Sequence, residues 1–224
     1  MHPVPKVVVF DVNETLSDMS PIASRFADVG APGHLAGQWF AALLRDGFAT
    51  ALTDSQAPFA DLGSVGLRGL LSTVDLDRDL EAAIDHVMTG FASLSVHPDV
   101  VAGIRALERA GFRLVTLSNG AAAVADRLFT TAGVRDAFEE LLSVEDAGIW
   151  KPAARAYEFA AHRCQVDTSE MLLVAVHPWD IHGAAHAGLQ TGWINRTGAP
   201  YPTYFTPPDR AVTSLTELAD QLAR

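Results

Sequence analysis

The chain has 224 residues, 49% hydrophobic and 19% charged, with a formal net charge of -11, which fits a folded globular protein and excludes a disordered one. The acidic balance excludes the phosphate backbone of nucleic acid as a partner, since that contact needs clustered Lys and Arg, so an anionic substrate must be held by local groups. A lone Cys164 excludes an intrachain disulfide and a thiol-rich metal cluster, and with no basic-then-apolar opening and no apolar run near the ~20 residues of a membrane span, the expectation is a soluble cytoplasmic protein.

Val7-Val8-Val9-Phe10 is an apolar β-type run that ends at Asp11 and turns polar through Val12-Asn13-Glu14-Thr15. Such a run suits a central parallel strand buried on both faces, whose carboxyl end opens on the crevice where open α/β sheets bind ligands. Asp11 is therefore the candidate nucleophile, against the plainer reading of an Asp that starts a turn or caps a helix. Glu14 is expected to point to solvent or to a hinge. Ser20-Pro21 opens a helix over about 21–28, and the Gly30-Ala31-Pro32-Gly33 stretch breaks it. Residues 35–52 carry Trp39, Phe40, Leu43, Leu44 and Phe48 at three- and four-residue spacing, an amphipathic helix. Similar periodicity returns over 67–71 and more strongly over 76–91. Gly63, Gly66 and Gly69 follow no strand, so they mark loop flexibility or close helix approach rather than a dinucleotide fingerprint. No convincing strand lies between Ser17 and Ser95.

From Pro98 onward strands and helices alternate. A helix leads to Gly111, and a strand over 113–117 runs into Ser118-Asn119-Gly120. A helix over 121–132 stops at Gly133, and a short strand follows at 141–143. A helix over 152–164 has Pro152 in its first turn, directly after Lys151, and carries Tyr157 and a core Cys164. A strand over 171–176 runs into His177-Pro178-Trp179-Asp180, followed by an Ala-rich helix, a strand over 190–194 and a closing helix over 214–222 capped by Ser214. This alternation predicts a doubly wound parallel sheet covered on both faces. Residues 1–16 and 96–224 would form that α/β core, and 17–95 a helical insertion after the first strand.

Four polar clusters sit at strand ends: Asp11 to Thr15, Ser118-Asn119, Lys151, and His177 to Asp180. With Asp11, Thr15, Ser118, Asn119, Lys151 and Asp180 at these spacings, the chain resembles the haloacid dehalogenase superfamily over nearly its whole length. The resemblance implies a Rossmann-like core with a helical cap, and an aspartate nucleophile at Asp11.

Asn13 then separates the chemistries. Phosphatases of that superfamily carry a second Asp two residues after the nucleophile, as general acid for a departing alkoxide. Asn13 cannot transfer that proton, whereas a halide leaves without one. The superfamily's magnesium site also tends to use two acids after the fourth strand, where this chain offers Asp180 alone. The nearest resemblance is therefore to the type II, L-2-haloacid dehalogenases and dehalogenase-like hydrolases. It implies a hydrolase that converts a small 2-haloacid and water to a 2-hydroxyacid and halide through an ester on Asp11, with no cofactor and no metal. A magnesium-dependent phosphatase or phosphonatase acting on a small phosphorylated metabolite is the alternative, and a degenerate scaffold with a ligand pocket is a third reading.

In the dehalogenase reading Lys151 keeps Asp11 ionised, Thr15 fixes its rotamer, the Ser118 hydroxyl and nearby backbone N–H groups, including that of Asn119, receive the substrate carboxylate at a helix start, and Asp180 orients Lys151 or the hydrolytic water. The type II pattern has a Tyr where this chain has Asn13, an Arg after the cap Trp where it has Phe40, and an Asn where it has His177. Asn13 therefore falls on the substrate side, and Arg45 is the candidate cap cation. His177 either donates a hydrogen bond, assists water activation, or is structural. Trp39 and Phe40 line an apolar pocket or simply form core. Tyr157 and Trp179 border the site. The implied partner is a small anionic substrate, and since related dehalogenases are often dimers, the resemblance allows a homodimer.

Overall fold

A computed structural model describes residues 4–223. The central strand β1 (Val7–Phe10) has all four side chains withdrawn from solvent. Successive side chains leave on opposite faces. Val8 and Phe10 join one apolar cluster with Leu114, Phe129 and Leu215, while Val7 and Val9 join another with Leu117, Tyr157 and Leu173. Burial on both sides is why the run is uninterrupted by polar residues, each such side chain contributing about 1.5–3 kcal/mol.

The chain divides into two compact units, Met1–Ser17 with Ser95–Arg224, and Asp18–Leu94. The second holds α1 (Ile22–Ala27), α2 (Leu35–Leu52), α3 (Phe59–Leu71) and α4 (Leu80–Ala92). Helix α3 begins well ahead of the predicted 67–71, because Ala60, Gly63, Ser64 and Gly66 dilute an apolar pattern that Phe59 already opens. Helix α4 starts later than 76 because the Asp79 carboxylate accepts from the N–H groups of Glu81 and Ala82 at 2.9 and 3.2 Å. The unit's core is aromatic, with Phe59 stacked on Phe91 at 5.1 Å and Trp39 edge-on to Phe91 at 6.0 Å. A Cβ on Gly63 would lie 3.3 Å from Leu43 and Met88, so close helix approach explains that glycine.

The first unit continues through α5 (Val100–Arg109), β2 (Arg113–Ser118), α6 (Ala122–Ala132), β3 (Glu140–Ser143), α7 (Val144–Ala147) and α8 (Ala154–Cys164). Beyond these come β4 (Met171–Ala175), α9 (Pro178–His186), β5 (Gln190–Ile194), β6 (Arg210–Val212) and α10 (Leu215–Leu222). All strand pairs are parallel, in the order β3-β2-β1-β4-β5-β6. This is the doubly wound α/β sheet that the alternation predicts, and its order reverses at β1 and β4, the switch point at which such sheets bind ligands. Gly133 ends α6 at φ 70°, a left-handed cap that favours glycine. The Ser214 hydroxyl caps α10 by accepting from Glu217 N at 3.2 Å.

Three details depart from the sequence reading. Pro152 lies in the loop before α8 rather than in its first turn, and the Lys151-Pro152 peptide is cis. Strand β6 and helix α7, three and four residues long, are too short to leave a periodic signal and depend on their neighbours. Among the described residues no helix is long and apolar enough to cross a membrane.

Candidate active site

Asp11 sits just past the end of β1, its N–H donating to Val174 O of β4 at 3.0 Å. The backbone that aims it is thus bonded into the sheet, and its side chain is 3% exposed. The Thr15 hydroxyl, one turn on, donates to Asp11 Oδ2 at 2.7 Å while accepting from Val176 N at 3.1 Å. That second bond places the hydroxyl hydrogen on the carboxylate. Lys151 Nζ donates to Asp11 Oδ1 at 3.0 Å and to Asp180 Oδ2 at 2.6 Å, with its side chain wholly buried. Tyr157 completes the array by donating to Asp180 Oδ1 at 2.6 Å.

Lys151 is set in place by Asn119, whose Oδ1 accepts from Lys151 N at 3.0 Å and whose Nδ2 donates to Lys151 O at 3.4 Å. The Asn119 side chain therefore serves the lysine backbone, which leaves only its main chain for substrate. Gly183 of α9 allows the same approach from the other side, since a Cβ there would lie 2.5 Å from Pro152 Cβ and 2.7 Å from the Tyr157 hydroxyl. Nothing in the sequence reading singled out Gly183. Ser118 Oγ accepts from Gly120 N at 2.9 Å, a bond that leaves its own hydrogen to donate to another acceptor. A Cβ on Gly120 would lie 3.4 Å from Ser118 Oγ and 3.5 Å from Asn13 Nδ2, so the Asn13 amide and the Ser118 hydroxyl converge on one small space.

The Glu14 side chain keeps 43% of its surface exposed, in line with a residue facing solvent, and its Oε2 also accepts from His177 Nε2 at 2.8 Å, while His177 Nδ1 donates to Asp11 Oδ2 at 3.1 Å. Glu14 adopts φ 60°, a conformation that costs a residue with a Cβ roughly 1–2 kcal/mol, and the cost is offset by the bonds it makes. The His177 ring also stacks on Trp179 at 5.1 Å, and Lys151 Nζ lies 5.8 Å from the Trp179 ring centre.

Burial pushes the Asp11 carboxyl up, but the Lys151 ammonium and the His177 and Thr15 bonds hold it well below the usual carboxylate range. Burial pushes Lys151 down, and the charges of Asp11 and Asp180 outweigh it and keep the ammonium raised. Asp180 is raised, first by burial and further by the charge of Asp11, against the opposing pull of Lys151. Burial disfavours the imidazolium of His177, yet its bonds to Asp11 and Glu14 bring it up to about 9. With a carboxylate oxygen on each ring nitrogen, the ring carries both protons. A folded value above the unfolded one, ~6.5, means stability fully present below that pH and lost as pH rises through about 9. Thermal unfolding followed from pH 6 to 10 should therefore show a decline that His177→Asn flattens; an equal decline in both proteins would refute the assignment.

The candidates from the inserted unit make contacts within that unit. Trp39 is buried, its Nε1 donating to Gly63 O at 2.9 Å and its ring 6.1 Å from Phe26. Those contacts make it part of that unit's own core. Phe40 is buried against Phe59, ring centres 6.4 Å apart. Arg45 is exposed and donates to Asp46 at 2.8 Å.

A divalent cation does not fit between the two carboxylates, because the Lys151 ammonium already bridges Asp11 and Asp180. Among the described residues no group of three or more His, Cys, Asp or Glu side chains is disposed to hold a metal ion.

A buried, cation-paired aspartate at the switch point of a doubly wound sheet is shared with a known class, and the chain belongs to it: the profile of the haloacid dehalogenase-like hydrolases matches residues 5–188. The chain is 32% identical over 213 residues to an (S)-2-haloacid dehalogenase of Pseudomonas sp. strain YL, covering 94% of this chain and 91% of that one. It also matches a crystal structure of a dehalogenase with an intermediate complex, with a TM-score of 0.92, 31% identity and full coverage of both chains. The L-2-haloacid dehalogenase of Xanthobacter autotrophicus with chloropropionic acid covalently bound superimposes with a TM-score of 0.86 at 25% identity, over 97% of this chain and 98% of that one.

Proposed function

We propose that this hydrolase cleaves the carbon–halogen bond of small 2-haloacids through an ester on Asp11. The observation that carries the proposal is the Lys151 ammonium lying between Asp11 and Asp180, with an amide rather than an acid at position 13. Lysine holds the nucleophile ionised at neutral pH, and Asn13 cannot supply the proton that an alkoxide leaving group needs.

Asp11 Oδ2 already accepts two hydrogen bonds, from Thr15 and His177, whereas Oδ1 accepts one, from Lys151. Oδ1 keeps a lone pair and is the attacking oxygen. Its electron pair forms the bond to C2 from the side opposite the halogen, the carbon–halogen pair departs with the halide, and C2 inverts. Ser118 and Asn13 hold the substrate carboxylate, together with the Asn119 main chain. Water then attacks Asp11 Cγ, and the negative charge that develops on Oδ2 meets the Thr15 hydroxyl and the His177 imidazolium, two donors already in place. Breaking the Cγ–Oδ1 bond releases the 2-hydroxyacid. One water proton goes to the departing oxygen and the other to Asp180, whose carboxyl burial raises.

The reading includes a cytoplasmic enzyme whose partner is a small anion, and a homodimer only through the family resemblance. Incubation with 2-chloropropionate or fluoroacetate should release halide at a rate insensitive to chelator. Magnesium-dependent release of phosphate from phosphorylated metabolites, with no halide from any haloacid, would replace it with a phosphatase.

A further inference from the structure

The segment that leaves β1 is gripped by a second set of bonds that never touch Asp11. Three successive carbonyls are held: Glu14 O accepts from His97 Nε2 at 2.9 Å, Thr15 O from Arg196 Nη2 at 2.9 Å, and Leu16 O from His97 N at 3.0 Å. Arg196 is in turn seated by Asp99, with Nη1 to Oδ1 at 2.9 Å, and the other Asp99 oxygen accepts from Leu215 N at 2.6 Å, at the start of α10. Both partners are mostly buried, at 18% and 16% side-chain exposure. The guanidinium accepts a cost to be there, since its Nε is buried with no hydrogen-bond partner among the described residues.

Two of the three residues so gripped have side chains that bear on the nucleophile, Thr15 directly and Glu14 through His177. Glu14 stands in the left-handed region and sends its carboxylate to His177; Thr15 sends its hydroxyl to Asp11. A strained residue persists only where its surroundings over-determine it, and the carbonyl bonds from His97 and Arg196 are that determination. We propose that His97 and Arg196 are positioning residues, which hold the Glu14–Leu16 carbonyls so that Glu14 stays on His177 and Thr15 stays on Asp11. The inference rests on the dehalogenase reading for its activity readout alone.

The groups facing His177 are Asp11 just past the end of β1 and Glu14 from the same loop, with Lys151, Asp180 and Tyr157 beyond Asp11 and the Trp179 ring alongside. If Glu14 swings away, His177 loses one of its two carboxylates and titrates lower. Imidazole carbon–proton NMR of the full chain, with the His177 signal assigned by its loss in His177→Asn, follows this directly. His97→Ala should lower the His177 midpoint by about one unit or more, Glu14→Gln should do the same, and the double variant should fall no further. His97→Gln, which keeps an N–H donor, should restore most of the shift. With 2-chloropropionate, kcat should drop about 10- to 100-fold at nearly constant KM in His97→Ala and Arg196→Ala, with the alkaline limb of the pH profile displaced in His97→Ala.

A folded His97→Ala with a lower melting temperature but unchanged His177 midpoint would overturn the proposal, because mere scaffolding predicts that result. Where His97→Ala does not fold, Arg196→Lys decides by the same midpoint, a fall supporting the clamp and no change overturning it. The titration needs no turnover, so a wild type that releases no halide refutes the dehalogenase reading and leaves this test standing.

Discussion

Asp11→Asn should abolish halide release, with kcat reduced at least about 10⁴-fold, equivalent to ~5.5 kcal/mol of lost transition-state stabilisation. The amide lacks the anionic lone pair that displaces halide, and no second carboxylate can take over. Glu14 is bonded to His177, and Asp180, bonded to Lys151 and Tyr157, is held behind the lysine and serves as the proton acceptor. The fold should survive, since Asn is nearly isosteric and can still accept from Thr15. Two measurements check this. Ion chromatography follows halide, and single turnover of the wild type in ¹⁸O-water should place label in the peptide containing Asp11. Label in the product hydroxyl under single turnover, with none in Asp11, would mean that water attacks the substrate directly and the ester does not form.

Lys151→Met should cost both activity and stability. Among the described residues the ammonium is the one cation that bonds Asp11 and Asp180 together, at 3.0 and 2.6 Å, with no solvent access. Its removal leaves two buried carboxylates without the ammonium between them, Asp11 with His177 and Thr15 and Asp180 with the Tyr157 hydroxyl, a loss of about 3–5 kcal/mol. For a chain of this size that corresponds to a fall of about 10 °C in Tm. One carboxylate escapes the cost by binding a proton, so the Asp11 carboxyl, now well below its ordinary range, should rise. The acid limb of kcat/KM should move upward in pH, with kcat down about 10³-fold at neutral pH. An unchanged acid limb in a folded Lys151→Met protein would show that another group keeps Asp11 ionised.

Much of this site was readable because its parts lie close to strand ends and obey short-range rules. The Val7–Phe10 run suits a strand buried on both faces, and the Asp that ends such a strand stands at the sheet's carboxyl edge. Thr15, four residues on, returns to Asp11 within one turn. Lys151 and Asp180 were legible as polar residues at the expected places of a βα alternation. The Glu14–His177 bond was not legible because the two residues are distant in sequence, and because the left-handed backbone of Glu14 leaves no mark in residue types. Arg196, Asp99 and His97 went unremarked for the same reason, and Gly183 looked like any small residue in an Ala-rich helix. Trp39 and Phe40 had a spacing shared by core and pocket residues alike, and the contacts with Phe26, Phe59, Phe91 and Gly63 tie both into core.

By itself the sequence determined the alternation of strands and helices, the helical insertion, and the chemistry permitted by an aspartate followed by an amide. These follow from periodicity and from functional groups, which are local properties of the chain. Only the tertiary structure decided which charges neutralise which. Lys151 is shared between two carboxylates, His177 is doubly protonated between Asp11 and Glu14, and the Asn119 side chain is turned to the lysine backbone, which leaves its main chain to the substrate. Protonation in a buried site depends on distances of a few ångströms between residues that the chain order scatters, and those distances exist only once the sheet has closed.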